Sequence, residues 1–294
     1  MTGAARSAIG VDVGGTNVRA ARVDETGHVL RHVAEPVVPD RDGFAAQLLG
    51  LIEAMRDEQT LGIGIGLPGR VDAARGAVLS AGYLDIAGLD LPSLVGRAFG
   101  LPARIENDAS MALIAEAHAR PELSGGLILM VTVGTGIGGA ILQGRTPWRG
   151  GGISGQFGHI VVADDGPLCK CGRRGCVETY SSGPALRRLI VDAGLPEDMQ
   201  ACALIARAEA GDSAAAEVRH RWAAPFQRAL ETLVSVFDPR LIVIGGGLGQ
   251  DMARALRSIE RQSPWFGWPV EPALLGDDAG VIGAALRGLP EDRP

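Results

Sequence analysis

The chain has 294 residues, 46% of them hydrophobic, and a formal net charge of −6. That length accommodates two domains of ordinary size, each with its own core, and an acidic balance with scattered arginines argues against a nucleic-acid-binding surface. The longest apolar run, Leu127–Val133, falls far short of the roughly 20 residues of a membrane span and no secretory core is visible, so the expectation is a cytoplasmic enzyme or binding protein whose four cysteines stay reduced.

Residues 9–13 predict a short apolar strand ending in Asp12-Val13-Gly14-Gly15-Thr16-Asn17, residues 18–23 a second strand, and residues 24–27 a turn into a third. This glycine loop joins two strands. A dinucleotide fingerprint opens a helix instead, so a Rossmann reading is excluded. Phe44, Leu48, Leu51, Ile52 and Met55 share one face of a helix over residues 44–56. Gly62-Ile63-Gly64-Ile65-Gly66-Leu67-Pro68-Gly69 then reads as a glycine-rich strand running into a turn, where glycines mark close approach to packing neighbours or to a ligand. A strand over residues 103–105 enters Glu106-Asn107-Asp108, and an alanine-rich helix follows up to Pro121. Three polar groups thus stand where a strand meets a helix, a place where Asn107 or Asp108 also serves as an ordinary helix cap.

Leu127–Val133 is a buried strand ending in Gly134-Thr135-Gly136-Ile137-Gly138-Gly139, with a further strand over residues 140–142. The arrangement at Asp12 is repeated about 120 residues on. The repeat predicts a duplicated two-domain body with its glycine loops facing each other, able to hold a polyphosphate on backbone N–H groups. Farther on, Ser182-Gly183-Pro184 opens a helix, and Trp222, Phe226, Leu230, Leu233 and Phe237 mark the apolar face of a longer one containing Pro225. Residues 241–244 predict a buried strand leading to Gly245-Gly246-Gly247, a turn with room for a flat ring such as adenine or simply one that packs closely. A small-residue helix over residues 278–285 comes last. Cys202, in an alanine-rich helical run, is expected to be a buried core thiol.

His159, Cys169, Cys171 and Cys176 fall within eighteen residues of one another, among the glycines Gly166, Gly172 and Gly175. One imidazole and three thiolates make a four-coordinate zinc set, and a lone Cys-x-Cys redox pair would not need the other two ligands. All four positions are then protein, so the metal is expected to be structural. Two roles stay open for such a loop: a knob that staples irregular backbone, or a support from which the second nitrogen of His159 meets a polar substrate. The only lysine in the chain is Lys170, inside this loop. A Walker-type phosphate loop, a protein-kinase strand lysine and a pyridoxal Schiff base are therefore all excluded.

Taken in order, Asp12-Val13-Gly14-Gly15-Thr16-Asn17, Gly64-Ile65-Gly66-Leu67-Pro68-Gly69, Glu106-Asn107-Asp108-Ala109, Gly134-Thr135-Gly136-Ile137-Gly138-Gly139, and Gly158-His159 with Cys169-x-Cys171-Gly172-x-x-Gly175-Cys176-x-Glu178 closely resemble the ROK family of bacterial sugar kinases. The resemblance covers nearly the whole chain. It implies an α/β, actin-like ATPase and ribonuclease H-like duplicated two-domain fold with an interdomain cleft. The N-terminal domain would hold residues 1–120 and 277–294, and the C-terminal domain residues 121–276. It further implies ATP with Mg²⁺, a hexose or hexosamine acceptor, and a homodimer or homotetramer, with no nucleic acid or membrane partner.

Carried over by position, Asp108 would be the general base and Asn107 a sugar-hydroxyl ligand. Pro68, Gly69, Gln156, His159 and Glu178 would complete the sugar site, and Asp12 would orient the metal through water. Gly14, Gly15, Thr16 and Asn17 would form one phosphate loop, Gly134, Thr135 and Gly136 the other, and Gly245, Gly246 and Gly247 the adenosine site. His159, Cys169, Cys171 and Cys176 would ligate Zn²⁺. Three departures fall on the acceptor side. Gln156 replaces the Glu of the family's Glu-x-Gly-His, Ser110 ends its Glu-Asn-Asp-Ala-Asn, and its Asn-Leu-x-x-Trp appears only as Gly82-Tyr83-Leu84. Glucose is the first expected acceptor, with N-acetylhexosamines (GlcNAc or ManNAc), fructose and allose as alternatives. A non-catalytic sugar sensor, or a repressor carrying a helix-turn-helix before the sugar-binding body, is the rival class. Only eight residues precede Ile9 here, and Asp108 with both phosphate loops speaks for catalysis.

Overall fold

The computed structural model describes residues 6–290 apart from Tyr83, Ser124, Gly152, residues 261–266 and Trp268; the expectation for Tyr83 lies outside the described residues. The chain divides into two compact units, the first made of Met1–Ser124, Arg149–Ile153 and Asp277–Pro294, the second of Gly125–Trp148 and Ser154–Gly276.

Unit 1 opens with β1 (Ser7–Val13), β2 (Asn17–Asp24), β3 (Val29–Pro36) and α1 (Arg41–Met55). Next come β4 (Thr60–Leu67), β5 (Arg70–Asp72), β6 (Ala77–Ser80), α2 (Leu91–Phe99), β7 (Ala103–Asn107) and α3 (Asp108–His118). Its main sheet runs β3-β2-β1-β4-β7, with a separate β5-β6 pair. Both central strands, β1 and β4, are buried along almost their whole length, which is why they read as near-continuous runs of apolar and small residues instead of alternating. The edge strand β3 is largely exposed. Helix α1 starts three residues before the predicted position because Asp40 caps it, accepting the Gly43 N–H at 2.8 Å. It buries Phe44, Leu48, Leu51, Ile52 and Met55, the face its spacing predicts.

Unit 2 contains β8 (Leu127–Val133), β9 (Ile137–Gln143), β10 (Thr146–Pro147), α4 (Glu178–Ser181), α5 (Gly183–Asp192), α6 (Ala201–Glu209), α7 (Ser213–Phe237), β11 (Leu241–Gly245), α8 (Gly249–Leu256) and β12 (Val270–Pro272). Its sheet runs β10-β9-β8-β11-β12. In each sheet the first three strands pair antiparallel and the remaining pairings are parallel. The duplication read from the two glycine loops is therefore a duplication of whole sheets. The core of unit 2 gathers Trp222, Phe226, Leu230 and Leu233 of α7 with Leu204 and Ile205 of α6 and the strand residues Leu129, Val131, Ile242 and Ile244. Helix α7 runs through Pro225, which is buried within it.

The expectation for Cys202 fails: this thiol is exposed. The buried face of α6 is Ala201, Leu204, Ile205 and Ala208, and Cys202 falls one step of about 100° round the helix from Ala201, on the solvent side.

The last helix, α9 (Ala279–Gly288), returns to unit 1 and lies against β1, β4 and α3. Its small residues set the distance. A methyl on Gly64 of β4 would run into the Ala284 carbonyl, and one on Gly283 into the Met111 carbonyl of α3. This backbone-on-backbone approach, met at Gly62 as well, explains Gly62 and Gly64 better than a ligand does.

Candidate active site

In unit 1 the junction between β7 and α3 places the predicted base. Asn107 caps α3, its Oδ1 accepting the N–H groups of Ala109 at 3.0 Å and Ser110 at 3.3 Å, while its Nδ2 donates to the Gly69 carbonyl at 3.1 Å. The cap reading and the binding reading are thus both available to one side chain. Asp108 follows in the first helical turn, half-buried, with Oδ1 accepting the Ala109 N–H at 2.8 Å. Burial pushes its carboxyl up to about 6, opposed by the hydrogen bonds from the backbone and from Asn107.

Asp12, near the end of β1, belongs to the same neighbourhood. Burial and the negative charges of Asp108 and Asp277 push it up to about 7, against the pull of Arg19, whose Nη1 lies 3.6 Å from its Oδ2. Gly280, in the first turn of α9, leaves the space this carboxylate fills, since a methyl there would meet the Asp12 carboxyl group at about 2.5 Å. The turn from β1 to β2 closes with the Gly14 N–H on the Asn17 carbonyl at 2.9 Å and leaves Gly15 and Thr16 exposed. Asn17 Nδ2 donates to Thr16 Oγ1 at 3.3 Å. Pro68 and Gly69 form the turn between β4 and β5.

Unit 2 repeats the turn. The Gly134 N–H bonds the Gly136 carbonyl at 2.9 Å, with Thr135 exposed. Two further pieces dock on it: the Gly183 N–H at the start of α5 donates to the Gly134 carbonyl at 2.8 Å, and the Leu248 N–H donates to the Val133 carbonyl at 2.9 Å. The second bond brings the Gly245–Gly247 turn against the end of β8. Glu178 joins the group, its Oε2 accepting the Ile137 N–H at 2.9 Å and its Oε1 lying 3.2 Å from Lys170 Nζ.

The four sulfur and imidazole ligands come together as the spacing predicts. The ligand atoms of His159, Cys169, Cys171 and Cys176 all lie within 4.8 Å of one another. His159 Nδ1 is 3.6 Å from Cys169 Sγ, and Cys171 Sγ is 3.6 Å from Cys176 Sγ. A tetrahedral ion with Zn–S near 2.3 Å and Zn–N near 2.0 Å sets ligand atoms about 3.5 to 3.8 Å apart, so the donor set and spacing are compatible with zinc. Short bonds shape the loop, including Cys169 N–H to the Arg173 carbonyl at 2.8 Å and Arg173 Nη2 to the His159 carbonyl at 2.8 Å. With Nδ1 turned to the sulfurs, Nε2 of His159 is the nitrogen left for another partner. Gln156, itself exposed, precedes His159 between the buried Gly155 and Phe157, and its side chain makes no capping bond.

Sequence reasoning passes over Arg19, Asp277, Gly280 and Arg149 as parts of the site. Only Asp277 and Gly280 carried a visible signal, lying beside the start of a predicted helix. The charged partners are ordinary residues in strands and loops, and their part appears once the chain is folded.

A ROK family sequence profile matches residues 8–287. A glucokinase of Streptomyces coelicolor is 32% identical, the match covering 94% of this chain and 96% of the relative. An N-acetylmannosamine kinase of Yersinia pseudotuberculosis is 30% identical over 95% of this chain and 97% of its own. Among solved structures, a ROK family glucokinase from Streptomyces griseus in complex with glucose and AMPPNP superimposes with a TM-score of 0.78 at 31% identity, covering 96% of this chain and 99% of that one. The matched range spans this chain's doubled sheets, its glycine turns, the strand-end Asn-Asp and the Cys/His loop, and the chain belongs to the ROK family.

Proposed function

We propose that the chain is an ATP-dependent hexose kinase transferring the γ-phosphoryl group of ATP to the 6-hydroxyl of glucose. The observation that carries this reading is Asp108, a half-buried carboxylate held by a helix N–H beside Asn107 and raised to about 6. At neutral pH it is ionised, yet basic enough to accept the proton of a primary hydroxyl as that oxygen bonds to phosphorus and ADP departs. Asn107 would hold a sugar hydroxyl together with the Pro68-Gly69 turn, and His159 Nε2, Glu178 and Gln156 would hold the sugar at its anomeric end. Amides of Gly14–Asn17 and of Gly134–Gly136 would position the phosphates, and the Gly245–Gly247 turn the adenosine.

Mg²⁺ arriving with ATP would neutralise phosphate charge, and Asp12, near the carboxylates of Asp108 and Asp277, would hold it through water. Zn²⁺ on His159, Cys169, Cys171 and Cys176 would be structural, all four positions being filled by protein. The lack of a lysine in either phosphate loop fits a site that relies on amides and a metal for phosphate charge. Glucose as acceptor is supported by the glucokinase relatives, and an N-acetylhexosamine by two observations: the neutral, exposed Gln156 and the N-acetylmannosamine kinase relative. A homodimer or homotetramer in the cytoplasm completes the reading, and light scattering measures the assembly.

The test is ADP release with Mg·ATP across glucose, N-acetylglucosamine, N-acetylmannosamine, mannose, fructose and allose, with Asp108→Ala as control. Turnover on glucose that is lost in the control is the expected result. Sugar binding with no turnover on any of the six would overturn the kinase reading in favour of a sensor.

A further inference from the structure

Glu106 is an acid in an apolar place. It is 3% exposed, next to last in β7, and immediately precedes Asn107 and Asp108. A buried carboxylate persists only when its oxygens are satisfied. One is: Oε1 accepts the Asn107 N–H at 3.1 Å. The other takes a fork, with Arg149 Nε at 2.7 Å and Nη2 at 2.6 Å from Oε2.

Arg149 reaches this position by a detour. The chain belongs to unit 2 up to Trp148, to unit 1 for Arg149–Ile153, and to unit 2 again from Ser154. Gly150 and Gly151 have no side chains with which to hold the detour in place, and Ile153 is 64% exposed. Arg149 is therefore its anchoring side chain. The cost of this contact falls on both partners, since Arg149 gives up rotamer freedom and Glu106 gives up hydration. Its return is a fixed end to β7, where Asn107 and Asp108 are presented.

We infer that Arg149 is a positioning residue for the acceptor sugar, acting through Glu106 on the backbone of Asn107 and so on the placement of Asn107 and Asp108. This rests on the kinase reading above. The bonds lead from Arg149 through Glu106 to Asn107, so the effect is expected first on the acceptor sugar. Lys does not reproduce this contact, because it offers one ammonium nitrogen where Arg149 brings Nε and Nη2 together onto Oε2.

The experiment compares initial rates of the wild type, Arg149→Lys, Arg149→Ala and Arg149→Ala/Glu106→Gln, with glucose and Mg·ATP varied separately. Wild-type turnover on glucose is scored first, and its absence defeats the kinase reading without bearing on Arg149. Given turnover, kcat/KM for glucose should fall in the order wild type, Lys, Ala, toward the roughly 100-fold that a misplacement of about 1 Å can cost. KM for ATP should stay within about two-fold, the mark of an effect confined to the acceptor side. If Arg149→Ala does not fold, the double variant decides, because it leaves no buried charge unpaired. A double variant that is stable yet retains the raised glucose KM supports positioning. A double variant with wild-type glucose KM, or an ATP KM that rises in step in Arg149→Ala, would mean that Arg149 only neutralises Glu106 or only stabilises the fold, and the inference would be lost.

Discussion

As the proposed base, the half-buried Asp108 would have to be ionised at neutral pH yet still accept a proton, and burial raising it to about 6 suits that role. Rate should therefore follow its ionisation: kcat/KM for glucose falls with a one-proton slope as pH drops below about 6 and levels off above it. Asp108→Asn should keep glucose binding, measured by calorimetry, and lose about 10²- to 10⁴-fold in kcat, the usual worth of general-base help. Asp12 makes the complementary point in stability. Both carboxyls are raised above 3.8, so their contribution to folding is complete below that pH and is lost as pH rises through about 6 for Asp108 and about 7 for Asp12. Nucleotide-free protein thus carries a stability penalty at neutral pH at the residues proposed for its chemistry. Asp12→Asn should raise Tm in metal-free buffer at pH 8, with a gain that narrows toward pH 5, while phosphoryl transfer is impaired. An equal gain at both pH values would mean the carboxylate is not under this strain.

Among the elements, the Cys/His loop has the least regular structure to hold it. It is tied by two isolated β-bridges, Val161 with Cys176 and Leu168 with Arg174, and by short backbone bonds. Chelation of the metal should lower Tm and raise the apparent KM for glucose together, because His159 is both a proposed metal ligand and a proposed sugar ligand. Loss of stability with an unchanged glucose KM would confine the metal to stapling. The loop was legible in sequence because ligand chemistry needs particular residues at particular spacing. The same is true of β8, predicted at Leu127–Val133 and found there, and of the α1 and α7 faces, where periodicity records burial. Helix α2 went unread: it has nine residues, and its signals are an Asp90 cap, Pro92 in the first turn and left-handed Gly100 at its end, all of which also mark loops. Cys202 was misread because an alanine-rich helix gives little contrast between its faces. Glu106 with Arg149, 43 residues apart, lay beyond any local pattern.

At the scale of the whole molecule, each unit has its own five-stranded sheet and its own core. Their dependence on the end of the chain differs. Unit 1 uses α9 as a wall for β1, β4 and α3, with glycine against helix backbone, whereas unit 2 is made entirely from residues before Asp277. A chain shortened to residues 1–276 should keep amide protection in β8, β9 and β11 and lose it in β1 and β4, as read by hydrogen exchange. Protection lost equally in both sheets would show that neither unit folds without the other. Gly64→Ala gives the milder form of the experiment, since overpacking at such a contact costs about 1–3 kcal/mol.

The late return of α9 also sets a schedule on the ribosome. Domains generally complete themselves from the N-terminus as they emerge during synthesis. Here the unit that begins first finishes last: β1 and β4 are translated early, but the helix that covers them follows more than 200 residues later. In that interval their apolar face has no cover, while unit 2 emerges with every segment it needs. The nascent chain should therefore engage a holding chaperone through its first sheet and release it only once Ala279–Gly288 has left the exit tunnel.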